Sequence, residues 1–385
     1  MNVDVLVIGG GVAGTNAALA LQEKGLSVGL SSAGAAGSWF WSGVASVFGP
    51  TAPLPRAMSP HELEAPSLRA PEAPRSQDER WAMLRERAPD HPYFCAAASP
   101  ANVVALAQYA AERLGVPLEW PSDPVAVLTD QGTTRIADAY VNSVLALESG
   151  VEGVVLTDAL GTEPEWIAHG YRAATGAACS VLSGPELERQ GPGDRQVFAP
   201  SLRAARFEDV TALRAELKQR LDCDVRECAG SVDSIFGERL RHALADAQTR
   251  LARIPAISAL PTSGDGWSSG LGCASGPWRA RTILIATGGT LGRGSRCHWS
   301  EPWRREPQRA VRSPWLSPEV AGGFSVDGEL RLLVRGRQLG GVWVAGAGLA
   351  GHDPATDGTA FGVALWSSEH AANALSAELY SAGTL

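Results

Sequence analysis

The sequence predicts an α/β fold, and three observations predict it. Residues 3–8 are an apolar run broken only by Asp4, of the kind buried in a parallel sheet. A glycine cluster, a helical stretch from Val12 to Lys24 and a second short strand at Ser27–Leu30 follow, completing a βαβ unit in about thirty residues. Far along the chain, Thr282–Ala286 and Val342–Ala345 are two more buried runs that each end in glycines, and a helix over 362–378 closes the pattern.

The elements follow in order. Gly25 stands where a C-cap glycine would end the first helix. Residues 50–100 hold ten prolines, so regular structure is not expected there and the stretch reads as a long loop crossing into a second region. Residues 100–114 carry apolar side chains at helical spacing, with Gly115 as the stop. Val154–Leu156 predicts a strand, and helices are expected over 163–174, 208–221 and 238–251. Residues 254–260 read as a strand and 261–277 as a Gly/Ser-rich loop or a degraded hairpin. These elements imply a discontinuous first domain, residues 1–50 and 231–385, with an inserted α+β cap at 51–230.

Composition limits the function classes. At 385 residues, 45% apolar and 19% charged, the chain can bury a large core. A net charge of −8 without a basic stripe argues against a nucleic-acid partner. The six cysteines include no C-x-x-C pair, which speaks against an iron–sulfur cluster or a metal site. The first residues lack the basic region of a secretory leader, and no window approaches ~20 apolar residues, so a cytoplasmic chain without its own membrane span is expected.

The chemistry lies in the glycine turns. Gly9, Gly11 and Gly14 satisfy G-x-G-x-x-G after a strand and at the mouth of a helix. The first glycine permits the tight turn, the second lets backbone approach a pyrophosphate, and the third lets helix pack on strand. Val12 and Ala13 complete the phosphate-facing helix start. This is a Rossmann-like unit of the FAD/NAD(P)-binding type. An acidic residue should end the second strand and hold the ribose, but Ser31 and Ser32 stand there. FAD with altered ribose contacts, FMN alone and an emptied site therefore all remain open.

Other segments fit the flavin side of such a site. Ala286, Thr287 and Gly288 end a buried strand in the cofactor domain. Gly346, Asp353, Gly358 and Thr359 span the loop between the last strand and the last helix, whose N-terminus favours negative charge on a reduced flavin. Ser42 and Gly43 sit in the loop expected against the ring, beside the aromatic run 39–41, which serves ring stacking and core packing equally well. His352 is the candidate proton carrier and Arg135 the candidate anion holder, with His91 a third functional polar residue. No P-loop or H-E-x-x-H occurs.

With these segments in view, the chain resembles the B-subunit family of anaerobic glycerol-3-phosphate dehydrogenase. The likeness rests on the Gly-rich βαβ unit with its non-acidic second strand end, the run Trp41–Gly49, His91-Pro92-Tyr93, the helix Asn102–Leu114, Gly115–Leu118 and Gly132–Arg135. Towards the end it rests on Gly322-Gly323-Phe324, the segment Gly346–Gly362 with Asp353-Pro354, Ser368 and His370-Ala371-Ala372. The resemblance implies a flavin-binding partner, usually with FMN, in a complex that oxidises glycerol 3-phosphate and passes electrons to quinone. It implies a larger flavoprotein subunit that performs the oxidation and an iron–sulfur subunit that provides the membrane link. Thr359-Ala360-Phe361, the Arg-rich stretch 293–312 and the Pro-rich stretch 50–75 depart from the family pattern.

Three readings follow. The first is a flavin-binding subunit, with FAD as cofactor and FMN as alternative, that relays electrons within such a complex and is peripheral to the inner membrane through a partner. The second is a self-sufficient flavin oxidoreductase acting on a small anionic substrate through Arg135 and His352. The third is a structural subunit that keeps the fold without flavin.

Overall fold

The computed structural model describes residues 2–32, 41, 44–48, 76–96, 99–117, 126–128, 151–156, 164–165, 168, 171–172, 176–199, 206–227, 235–254, 259–261, 267–269, 278–288, 323–352 and 359–383. The strands in chain order are β1 (Asn2–Ile8), β2 (Val28–Ser31), β3 (Val44–Ser46), β4 (Ala126–Leu128), β5 (Gly153–Leu156), β6 (Cys179–Leu182), β7 (Gln196–Ala199), β8 (Val225–Glu227), β9 (Ala252–Ile254), β10 (Ala259–Pro261), β11 (Trp267–Ser269), β12 (Arg279–Ile285), β13 (Arg331–Val334) and β14 (Arg337–Val344). The helices are α1 (Val12–Glu23), α2 (Gln77–Arg87), α3 (Pro92–Cys95), α4 (Pro100–Arg113), α5 (Gly184–Gln190), α6 (Phe207–Leu221), α7 (Ile235–Gln248) and α8 (Ala360–Ser381).

The chain divides into two compact units. One comprises Met1–Ser38, Trp81–Gly115 and Ala243–Leu385; the other comprises Trp39–Arg80 and Val116–His242. The loop expected over 50–100 holds α2 and α3, because Gln77–Arg87 contains no proline and Pro92 stands at the first turn of α3, where its missing N–H costs nothing. The sequence pattern also leaves 81–115 with the inserted part, whereas here they join the first unit. The reason is α4. Its buried stripe Val103, Ala107, Ala110 and Ala111 is made of small and β-branched side chains, and α4 packs against α8.

In the first unit β1 lies between two parallel neighbours. It pairs with β12 from Asn2↔Arg279 to Ile8↔Ile285, and with β2 from Val5↔Val28 to Ile8↔Ser31. β2 is followed in parallel by β9, with Leu30 opposite Arg253. The other edge of β12 is shared: β14 pairs in parallel at Ile283–Ile285 and β11 antiparallel at Arg279–Ala280. Strands enclosed on both faces need continuous apolar runs, and Val5, Leu6, Val7 and Leu284 are indeed fully buried.

The expected strand over 254–260 is two strands, because Pro255 has no N–H with which to continue β9. The stretch beyond it does contain a hairpin: β10 pairs antiparallel with β11. Helix α1 is buried from Val12 to Leu21, packed against β1, β2, α4 and α8.

The second unit holds a four-stranded sheet in the order β6-β5-β7-β8, parallel throughout. The α+β pattern of its sequence does not announce that order. It arises because α5 and α6 serve as crossovers after β6 and β7. Val154, Leu187, Val197, Val210, Leu221 and Val225 form its core. A separate antiparallel pair joins β3 to β4. Trp41 packs edge-on against Phe207 and Phe236, both at 6.4 Å, so this aromatic of the 39–41 run serves core packing within the second unit.

Candidate functional site

The site is built at the carboxyl ends of β1, β12 and β14, which finish in register. The N–H of Ala286 donates to Ile8 O at 2.8 Å, that of Ala345 to Ile285 O at 2.9 Å, and that of Gly9 to Ser31 O at 2.8 Å. Three turns thus leave the sheet side by side, beginning at Gly9, Ala286 and Gly346.

Their glycines are required by contact. Gly9 has φ +122°, and a Cβ there would lie 2.1 Å from Ala286 O. A Cβ on Gly14 would meet Gly9 O at 1.8 Å. No side-chain movement relieves a clash with backbone, so strand, turn and helix can approach this closely only without Cβ atoms. A Cβ on Gly346 would come within 2.9 Å of Ala13 Cβ, which ties the third turn to the start of α1. Its N–H donates to Ser367 Oγ at 2.8 Å, and that hydroxyl donates onward to Val363 O at 2.5 Å. The last helix thereby fixes the last glycine turn.

These residues fit a bound dinucleotide on three counts. Gly11, the N-cap of α1, supplies no side chain to cap the helix, and the first turn carries no acid, so the helix pole is available to an anion. Gly288, at φ +79°, has nothing within 4 Å of its would-be Cβ among the described residues, which leaves that turn open on one side. Thr287 Oγ1 is buried and has no hydrogen-bond partner among the described residues. A buried hydroxyl left in that state calls for an acceptor or donor from a ligand.

A second cluster gathers before α8. His91 is fully buried; its Nε2 lies 3.4 Å from Thr359 Oγ1 and its Nδ1 accepts from Tyr93 N–H at 3.4 Å. His352 is buried beside it, ring edge to ring face, with centroids 5.5 Å apart. Tyr93 abuts Trp366 of α8 at 4.8 Å. A Cβ on Gly351 would strike Asp90 O at 1.9 Å, so the segment bearing His91 is held tightly against the loop bearing His352. Burial pushes the His91 imidazole down to about 2, with the His352 and Arg87 charges adding to the effect. His91 is therefore a neutral hydrogen-bonding group. Thr359, the N-cap of α8, makes no capping hydrogen bond, and the first turn of α8 holds no acid.

The structure thus brings Gly9, Gly11, Val12, Ala13, Gly14, Ala286, Thr287, Gly288 and Gly346 to one edge of the sheet, with Ser31 and Ser32 at the end of β2. It sets His352 with His91 and Thr359. Ser42, Gly43, Arg135, Asp353 and Gly358 lie outside the described residues. Sequence reasoning missed Ser367, Gln248 and Arg253. Gln248 donates to Gly10 O and to Thr15 Oγ1, both at 2.8 Å, and accepts from Arg253 at 2.8 Å. No motif announces a glutamine at the end of a helix; only the fold carries it to the glycine turn.

Comparison with known proteins bears on the cofactor. Residues 4–146 match the family described as FAD binding domain. A search of curated proteins finds no match. Among solved structures, 3-ketosteroid delta1-dehydrogenase from Sterolibacterium denitrificans is 12% identical, covering 98% of this chain and 100% of that one, with a TM-score of 0.41. The 3-ketosteroid-delta4-(5alpha)-dehydrogenase from Rhodococcus jostii is 10% identical, covering 98% and 97%, with a TM-score of 0.38. A flavocytochrome c3 fumarate reductase is 10% identical, covering 98% and 78%, with a TM-score of 0.41. Over residues 4–146 the match identifies an FAD-binding domain, with FAD as the cofactor. No helix among the described residues is long and apolar enough to cross a membrane.

Proposed function

We propose that this chain is the flavin-binding subunit of a complex resembling anaerobic glycerol-3-phosphate dehydrogenase, passing electrons from a substrate-oxidising flavoprotein partner towards a quinone-linked acceptor. The observation that carries the reading is the junction of His91-Pro92-Tyr93 with the Gly346–His352 loop. Two segments far apart in sequence, both among those on which the resemblance rests, meet at one buried cluster beside the glycine turns.

Bound FAD supplies reversible uptake of electrons at its ring system. The chain's residues do the rest. Gly9, Gly11 and Gly14, with the first turn of α1, hold the pyrophosphate through backbone N–H groups and the helix pole. Thr287, through its buried hydroxyl, and Gly346, through its backbone, would help to hold the cofactor. The N-terminus of α8, without an acid in its first turn, favours an anionic ring, and His91, held neutral, orients the Thr359 hydroxyl there without adding charge. His352 is the group placed to take or give a proton. The larger flavoprotein and iron–sulfur partners, and a peripheral place at the inner membrane, belong to the same proposal.

The test begins with the purified chain's visible spectrum and chromatography of the flavin released on denaturation. Near-stoichiometric FAD is expected. The chain alone should then show no glycerol 3-phosphate turnover with an artificial acceptor, and should gain it when co-expressed with a larger flavoprotein subunit. Turnover by the isolated chain would favour the self-sufficient oxidoreductase instead. A colourless chain that takes up no flavin would overturn both redox readings.

A further inference from the structure

The cluster before α8 fixes the direction of a proton. His91 is fully buried, and its Nδ1 accepts from the Tyr93 N–H at 3.4 Å. An imidazole nitrogen that accepts carries no proton, so the ring proton sits on Nε2. Burial agrees with this, since it holds the ring in its neutral form. Nε2 lies 3.4 Å from Thr359 Oγ1. In this pair the imidazole therefore donates and the threonine oxygen accepts. The hydroxyl's own proton is left to point elsewhere.

Among the described residues nothing receives it. Thr359 is fully buried, and His91 is the one side chain with which its hydroxyl pairs there. It stands as the N-cap of α8 without making a capping bond, and the first turn of α8 carries no acid. A buried donor whose oxygen is already engaged calls for an acceptor from a bound group. The helix pole beside it calls for an acceptor with negative charge.

The helix also sets the spacing. Ser367 accepts from the Gly346 N–H, and the Gly346 turn abuts Ala13 at the start of α1. Thr359 lies eight residues before Ser367, about 12 Å along the axis of α8 at the usual rise. The hydroxyl thus stands away from the phosphate-binding turns by about the reach of the arm that joins a flavin ring to its phosphates.

We propose that His91 and Thr359 form a hydrogen-bond chain, from imidazole to hydroxyl to flavin, that donates to the ring atom on which negative charge gathers as the ring takes up two electrons and one proton, and so raises the cofactor's reduction potential. The inference rests on the reading of this chain as an electron-passing flavoprotein and deepens it. The electrons come from the substrate-oxidising flavoprotein of that reading, and a raised potential makes this chain the better acceptor for them. Thr359 touches the ring; His91 is a positioning residue that acts through the hydroxyl.

The test uses the full chain loaded with FAD and reduced by dithionite against dyes of known potential. Removing the donor should cost about tenfold in the preference for reduced over oxidised FAD, which is about 30 mV for a two-electron couple. Thr359→Val should lower the midpoint by that amount, and Thr359→Ser should keep it near wild type. His91→Leu should lower it in part, and His91→Gln, whose amide still donates, should restore most of the loss. Thr359→Val combined with His91→Leu should fall no further than Thr359→Val alone, whereas two merely structural losses would add. Should Thr359→Val not retain FAD, Thr359→Ala supplies the same measurement without a methyl in the hydroxyl's place. An unchanged midpoint in a threonine variant that retains FAD overturns the hydrogen-bond chain and leaves the electron-passing reading standing. Additive losses overturn the part given to His91. A wild-type chain that binds no FAD overturns both the reading and the inference.

Discussion

The Arg113 guanidinium donates to the Glu369 carboxylate inside the first unit, where both side chains are all but removed from solvent at 5% and 3% exposure. Asn16 completes the arrangement: its amide donates to Ser368 Oγ at 2.9 Å and to Glu369 Oε2 at 3.3 Å, and its Oδ1 accepts from Arg113 at 2.9 Å. One network thus ties α1, α4 and α8 together, behind the glycine turns. Glu369→Ala would leave a buried arginine with the half-exposed Glu23 as its one carboxylate partner among the described residues, beside the neutral Asn16. The expected loss is about 3 kcal/mol in urea unfolding, because an orphaned buried charge costs more than the pair contributes. The double change Arg113→Met with Glu369→Leu should lose far less. A single-variant loss below about 1 kcal/mol would show that the pair is not desolvated.

The glycine turns predict a sharp ranking. Gly14→Ala places a methyl 1.8 Å from a backbone oxygen, and Gly9→Ala adds a strained φ of +122° to a contact of 2.1 Å. Both should abolish FAD retention, read as flavin content per purified chain. Gly115 has φ +67° but nothing within 4 Å of its would-be Cβ, so Gly115→Ala should cost about 1–2 kcal/mol of backbone strain and keep its flavin. If all three retained flavin equally, the turn would not be the cradle.

Ser367 offers a subtler probe. Its hydroxyl is the acceptor for the Gly346 N–H and is itself satisfied by Val363 O, so Ser367→Ala removes one hydroxyl and strands one buried backbone donor. A loss of about 1–3 kcal/mol is expected, with weaker flavin retention because the third turn loses its anchor. Ser367→Cys, which keeps a weak acceptor at that place, should lie between the two. Unchanged stability together with unchanged flavin content would mean that the turn holds its shape without the helix.

Local patterns carried the βαβ unit, because the apolar run, the glycines and the helix of residues 3–30 lie within one continuous stretch. The same holds for β12, β14 and α8, whose glycine ends point to the site directly. What escaped the sequence is set by partners far away in the chain. Residues 81–115 look like part of the insertion until α8 is present for α4 to cover. The strands of the second unit are only three or four residues long, too short for periodicity to separate from loop, and their parallel order follows from crossovers that no single segment shows. Gln248 and Arg253 are ordinary residues at a helix end and on a strand; they become part of the site only because β9 lies beside β2.

His91 gives a pH prediction whose sign is fixed by burial. Unfolded, the imidazole titrates near its ordinary value of 6.5; folded, it is pushed down to about 2, with burial the largest cause. Above pH ~6.5 both states are neutral, and His91 draws nothing from stability. Below it the unfolded chain takes up a proton that the folded chain refuses, so folding weakens progressively as pH falls from about 6.5 towards about 2. One such group contributes at most about 1.4 kcal/mol per pH unit. His91→Gln keeps a partner for Thr359 and removes the titration, so its urea stability between about pH 7.5 and 4.5 should fall less steeply than that of the wild type by up to that slope. His352→Gln, which leaves His91 in place, should retain most of the wild-type slope. Parallel acid profiles for wild type and His91→Gln would mean that water reaches His91 and that the cluster before α8 is open.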